Sequence, residues 1–68
     1  MPYINVRIVD DNVTAEQKAA VIAGITDVMV RVLGKNPDST FVVIDEVPME
    51  NWGHKGKSVA ELRKPTSD

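Results

Sequence analysis

The sequence predicts an α/β fold: one β-α-β unit with a parallel two-stranded core and a short C-terminal strand or hairpin, assembling into an oligomer. Three observations carry this. Tyr3 to Val9 alternates with a period of two, placing Ile4, Val6 and Ile8 on one face and Tyr3, Asn5 and Arg7 on the other. Ala15 to Leu33 repeats its apolar residues at helical spacing. Thr40 to Val47 is a second β-branched run. Strand, helix and strand in that order form a right-handed parallel crossover.

The first strand ends at Asp10-Asp11-Asn12, whose short polar side chains bond readily to nearby backbone and turn the chain. Thr14 is the expected N-cap of the helix, with Gln17 three residues on to complete a capping box and Glu16 adding favourable charge to the first turn. Along the helix Val21, Ile25, Val28 and Val32 form one line, widened into a stripe by Ile22, Met29 and Leu33. Ala19, Ala20 and Ala23 permit a close neighbour. Gly24 costs about 1 kcal/mol relative to alanine inside a helix, which suggests tight packing there. Gly34 suits the left-handed position after the last turn, and Pro37 prevents continuation.

In the second strand Val42 and Ile44 face one way, Phe41 and Val43 the other, so both faces are partly apolar. The helix is expected to cover one face and another subunit the other. Residues 48–53 read as irregular, Gly53 and Gly56 permit turns, and Val59 to Leu62 fits a short strand or a helical turn. The core of the single domain, 1–68, spans about 2–62, and the tail 63–68 is expected to be flexible.

A chain of 68 residues is one domain, and at this size about 60% of the unfolded surface is buried on folding, which leaves a monomer marginal. No cysteine is available for a disulfide, and a lone histidine, His54, makes a metal cluster unpromising. Self-association is the remaining remedy. Ten acidic against eight basic residues leave no footprint for nucleic acid. No run approaches the roughly 20 apolar residues that span a bilayer, and the opening MPYINVRIVDD does not read as a signal peptide. A cytoplasmic protein without cofactor, metal, nucleic-acid or membrane partner is expected.

The chemistry centres on Met1-Pro2. Removal of Met1 would expose Pro2 as a secondary amine able to act as a nucleophile or general base, which proline within a peptide bond is not. Nothing in the chain matches a phosphate loop, a zinc motif or a Ser/His/Asp triad.

Pro2 after the start methionine, the strand PYINVRI, the helix opening TAEQKAAVI, the second strand FVVIDEV and the following ENWGHKG together make the chain similar to the 4-oxalocrotonate tautomerase family, over roughly Pro2 to Leu62. The resemblance implies a β-α-β unit with small C-terminal strand pieces that reach across subunits, paired into dimers, with three dimers in a hexamer. It also implies cofactor-independent keto–enol tautomerisation of a small 2-oxo or enol acid, with the N-terminal proline as general base or acid. Two arginines and an aromatic wall often complete such sites. The first arginine position falls within Asp11-Asn12-Val13, in a turn one residue longer, and the second falls on Phe41. The wall falls on Trp52.

Pro2 is thus the candidate catalytic residue, in apolar surroundings that Tyr3, Phe41 and Trp52 could supply. Trp52 is a candidate pocket wall and equally a candidate interface anchor. Phe41 at the site would favour an apolar substrate part over a second carboxylate, and otherwise belongs to a core or interface. A developing enolate oxygen needs a donor. Arg7 is one candidate, unless it pairs with an acid across the sheet. Asn12 in the turn, Arg63 reaching a neighbouring subunit, backbone N–H groups and water are the others. His54 reads as a surface residue. Asp45 and Glu46 point to opposite faces and form no carboxylate pair. Alternative readings are a dehalogenase or hydratase of an unsaturated acid, or a weakly active or non-catalytic subunit of an oligomer of this kind.

Overall fold

The structure, a computed structural model, describes residues 1–63. Strand β1 (Tyr3–Val9) leads to helix α1 (Ala15–Leu33) and strand β2 (Phe41–Val47), followed by a hairpin of β3 (Gly53–His54) and β4 (Lys57–Ser58) and the one-turn helix α2 (Val59–Leu62). Short 3₁₀ turns at Pro37–Ser39 and Met49–Asn51 flank β2.

β1 and β2 pair in parallel, in register from Tyr3 opposite Phe41 to Val9 opposite Val47. Backbone bonds close both ends: Phe41 N donates to the Pro2 carbonyl at 2.9 Å and Asp10 N to the Val47 carbonyl at 2.8 Å. β2 begins one residue later than its β-branched run suggests. The Thr40 hydroxyl donates to the Asn36 carbonyl at 2.8 Å and Thr40 N to the Pro37 carbonyl, so Thr40 closes the turn instead of opening the strand.

α1 has both predicted ends. Gln17 N donates to the Thr14 hydroxyl at 3.0 Å and Thr14 N to Gln17 Oε1 at 2.9 Å, forming the capping box. Gly34 adopts φ 65°; its N–H reaches the Val30 carbonyl while Lys35 N reaches that of Met29, so left-handed backbone satisfies the last carbonyls.

Ile4, Val6, Ile8, Val42 and Ile44 are half-buried on one sheet face, as are Ile25 and Met29 of the helix. A Lys18–Glu46 ion pair ties α1 to β2. The opposite sheet face, with Tyr3, Asn5, Arg7, Phe41 and Val43, is open, and both strands are edges within the chain. Val21, Ile22, Val28, Val32 and Leu33 are also exposed. The close packing expected at Gly24 is not met inside the chain: a Cβ there would have no neighbour within 4 Å. Among the described residues only Val59 is buried, at 6% exposure. The radius of gyration is 16.0 Å, against about 11 Å for a compact domain of this length. The apolar surface is arranged to be covered from outside.

The C-terminal arm starts at the far end of β2. Lys55 (φ 59°) and Gly56 (φ 76°) form a two-residue loop of the kind that matches the twist of paired strands. Ser58 caps α2, which resolves the Val59–Leu62 alternatives in favour of a helical turn. Val59 N donates to the Trp52 carbonyl at 2.7 Å, folding α2 back beside the Met49–Asn51 turn. Arg63 ends α2 and is ion-paired to Asp11; the rest of the tail expected to be flexible, 64–68, lies outside the described residues.

Candidate active site

The parallel register decides which candidate residues meet. Pro2 precedes β1 and Phe41 opens β2, so they sit together at one end of the sheet, joined by the Phe41 N to Pro2 carbonyl bond. Tyr3 and Phe41 are register partners, so their side chains project from the same face, with Phe41 52% exposed. Pro2 itself is half-buried, and Met1 is 84% exposed, open to removal.

Asn12, Trp52 and Arg63 belong to the other end. The β1–α1 turn and the arm both leave the sheet where Val9 and Val47 pair. Seven residues of β1 at about 3.3 Å each put roughly 20 Å between the two ends. Asn12 takes φ 59°, the conformation of a turn former. Trp52 is half-buried and fixed through its carbonyl by Val59. No enclosed cavity forms among the described residues of one chain. One copy therefore carries two partial constellations: Pro2, Tyr3 and Phe41 at one end, Asn12, Trp52 and Arg63 at the other.

Arg7 lies at mid-strand with its Nη2 3.5 Å from Asp45 Oδ2, the cross-sheet pairing named as its alternative. Asn5 Nδ2 donates to the same oxygen at 2.9 Å. The Asn5 hydrogen bond chiefly holds the Asp45 carboxyl below its ordinary value, desolvation opposing and Arg7 assisting. Asp45 and Glu46 do face opposite sides, Glu46 answering Lys18. His54 is exposed in β3.

Two features escaped the sequence reading. The Asn5–Asp45 bond is diagonal across the register, with no local signal. The second is a 2.7 Å ion pair of Arg63 Nη1 with Asp11 Oδ2, which fixes the end of the arm to the turn before α1. The latter pair also leaves a half-exposed guanidinium at the turn where the sequence has no arginine.

The tautomerase enzyme family model matches residues 2–62. The chain is 55% identical over 67 residues to the probable tautomerase K2 of Dickeya dadantii, covering 98% of this chain and 100% of the relative. It is 37% identical over 62 residues to the 2-hydroxymuconate tautomerase of Comamonas testosteroni, covering 91% of this chain and 97% of the relative. The crystal structure of DmpI from Helicobacter pylori matches with a TM-score of 0.83 at 48% identity, over 91% of this chain and 96% of that one. A heterohexamer 4-oxalocrotonate tautomerase from Chloroflexus aurantiacus matches with a TM-score of 0.83 at 25% identity, over 93% of this chain and 100% of that one.

Proposed function

The chain belongs to the tautomerase family as a 4-oxalocrotonate tautomerase-like isomerase, and from that premise we propose that it interconverts the keto and enol forms of a small 2-oxo acid without a cofactor, using the amine of Pro2. The observation that carries this reading is that the family match opens on Pro2, the residue beside Phe41 at the end of the sheet. With Met1 removed, the Pro2 nitrogen is a secondary amine at the strand terminus. It takes a proton from the substrate oxygen or carbon and returns one at the other position.

Such a base works best when its pKa lies near the working pH. A model α-amine titrates near 8, and apolar surroundings disfavour its ammonium form. Tyr3 and Phe41 provide those surroundings on one side. Assembly into dimers and then a hexamer supplies the rest, a reading supported by the uncovered sheet and by the heterohexamer relative.

The test is ketonisation of enol phenylpyruvate by protein whose intact mass shows loss of Met1, with Pro2→Ala assayed alongside. A rate well above buffer that collapses in the variant is expected. Equal rates for the two proteins, or retention of Met1 in an active protein, would sink the mechanism.

A further inference from the structure

The open face of the sheet begins, at the Pro2 end, with two aromatic rings. Tyr3 and Phe41 are register partners, 64% and 52% exposed. Pro2 directly precedes Tyr3, so its nitrogen lies within about 5 Å of the Tyr3 Cα. The same face runs on to Val43, exposed as well and about 7 Å further along β2. Asn5 is the polar neighbour of this patch, and both hydrogens of its amide are committed. Its Nδ2 donates to Asp45 Oδ2 at 2.9 Å and to the Tyr3 hydroxyl at 3.4 Å. The Tyr3 hydroxyl keeps its own proton, a single neutral donor that serves one carboxylate at most.

The described cations stand elsewhere. Arg7 lies four residues beyond Tyr3, about 13 Å along β1, and faces Asp45. Lys35 is at the Pro2 end, but its N–H reaches the Met29 carbonyl, which keeps it at the end of α1 on the covered side of the sheet. Asp38, three residues on, offsets its charge. Lys18 pairs with Glu46 and Arg31 with Asp27. An anion laid against Tyr3, Phe41 and Val43 therefore gives up water without gaining a described cation of this chain. A flat apolar group in the same place meets two rings.

We propose that Tyr3, Phe41 and Val43 select the substrate: a 2-oxo acid with one carboxylate and a flat apolar group, aryl or alkenyl, on the carbon that Pro2 protonates, in preference to an acid with a second carboxylate there. The proposal rests on the tautomerase reading above and narrows its substrate class. The reaction is the same for both kinds of acid: the enol oxygen loses its proton, the neighbouring carbon gains one, and the C=C bond gives way to C=O. Only the group beside that carbon differs, so Phe41 acts on selection and Pro2 on chemistry.

The experiment compares enol phenylpyruvate with enol oxaloacetate, which has a carboxylate in place of the ring, on assembled, Met1-free protein. Each kcat/KM is divided by the buffer rate of the same enol. The wild-type protein is expected to favour the aryl acid by about 100-fold, roughly tenfold from contact between rings and roughly tenfold from a carboxylate left without a charged partner. Phe41→Arg should reduce that ratio by about 10- to 100-fold, chiefly through a lower KM for the diacid. Lys35→Ala should leave the ratio unaltered.

Equal use of the two enols by the wild-type protein would overturn the proposal, as would an unchanged ratio in Phe41→Arg. Loss of diacid turnover alone in Lys35→Ala would assign a carboxylate to Lys35 and overturn it too. Should Phe41→Arg fail to assemble by light scattering, inhibition of the wild-type protein decides: cinnamate should bind at least tenfold more tightly than fumarate, and equal inhibition constants overturn the selection. Absence of turnover of both enols, or full activity of Pro2→Ala, would instead defeat the tautomerase reading itself. In that event NMR shifts of Phe41 and Val43 on titration with cinnamate and fumarate still judge the surface, and equal affinities sink it.

Discussion

Phe41→Ala tests whether the aromatic pair beside Pro2 meets the substrate. Phe41 is 52% exposed in the chain, so about half of its side chain remains to be covered. Complete burial of a phenylalanine side chain is worth about 1.5–3 kcal/mol, so the uncovered half contributes about 1 kcal/mol, roughly fivefold in an equilibrium or rate. The assay is kcat/KM for enol phenylpyruvate against enolpyruvate, which has the same acid and no ring. The expected result is a fivefold loss for the aryl substrate and little change for the small one, since the Phe41 N to Pro2 carbonyl bond is made by backbone and survives the substitution. Equal losses for both substrates in a fully assembled variant would refute the contact and assign Phe41 to structure alone.

Thr14→Ala removes the hydroxyl acceptor of the capping box while leaving the bond from the residue 14 backbone N–H to Gln17, and should lower stability by about 1 kcal/mol in urea at fixed chain concentration; a change of a few tenths would contradict the cap. Gly56→Ala forces a side chain onto φ 76° and should destabilise the hairpin by roughly 1–2 kcal/mol, read by loss of amide protection in the arm. Asn5→Ala should raise the Asp45 titration toward its ordinary value, followed by its carboxyl NMR signal. Because the folded value is depressed, the stabilisation is present above the unfolded pKa and lost as pH falls through the folded one. The stability gap between wild type and variant should therefore be widest at neutral pH and narrow in acid. A constant gap would show that Asp45 is not the group involved.

What was legible in the sequence is what local chemistry determines. Thr14 and Gln17 announce one end of α1 and Gly34 the other, because caps are satisfied within a few residues. β1 declares itself by alternation. Pro2 was legible by its place in the chain, and its nearness to Phe41 follows once the strands are parallel. The boundary at Thr40 was missed because one hydroxyl bond closes the turn before it. The hairpin loop was half hidden, since Lys55 in left-handed backbone is not a usual turn residue and two-residue strands show no period. The Asp11–Arg63 pair joins residues 52 apart, and neither carries any sign of the other. The division of the candidate residues between two ends of the sheet likewise needs the register, which composition does not contain.

The scarcity of interior in one copy has a consequence for how the protein exists in a cell. With only Val59 fully withdrawn from water among the described residues, one copy leaves much of its apolar surface to be covered where chains meet. Stability then depends on protomer concentration, and each tenfold rise adds about 1.4 kcal/mol per association step. A sparse pool of newly made chains is exposed to proteases, whereas an abundant pool protects itself by assembling. Enzyme output should consequently rise more steeply than synthesis, so that expression level acts as a threshold as well as a supply.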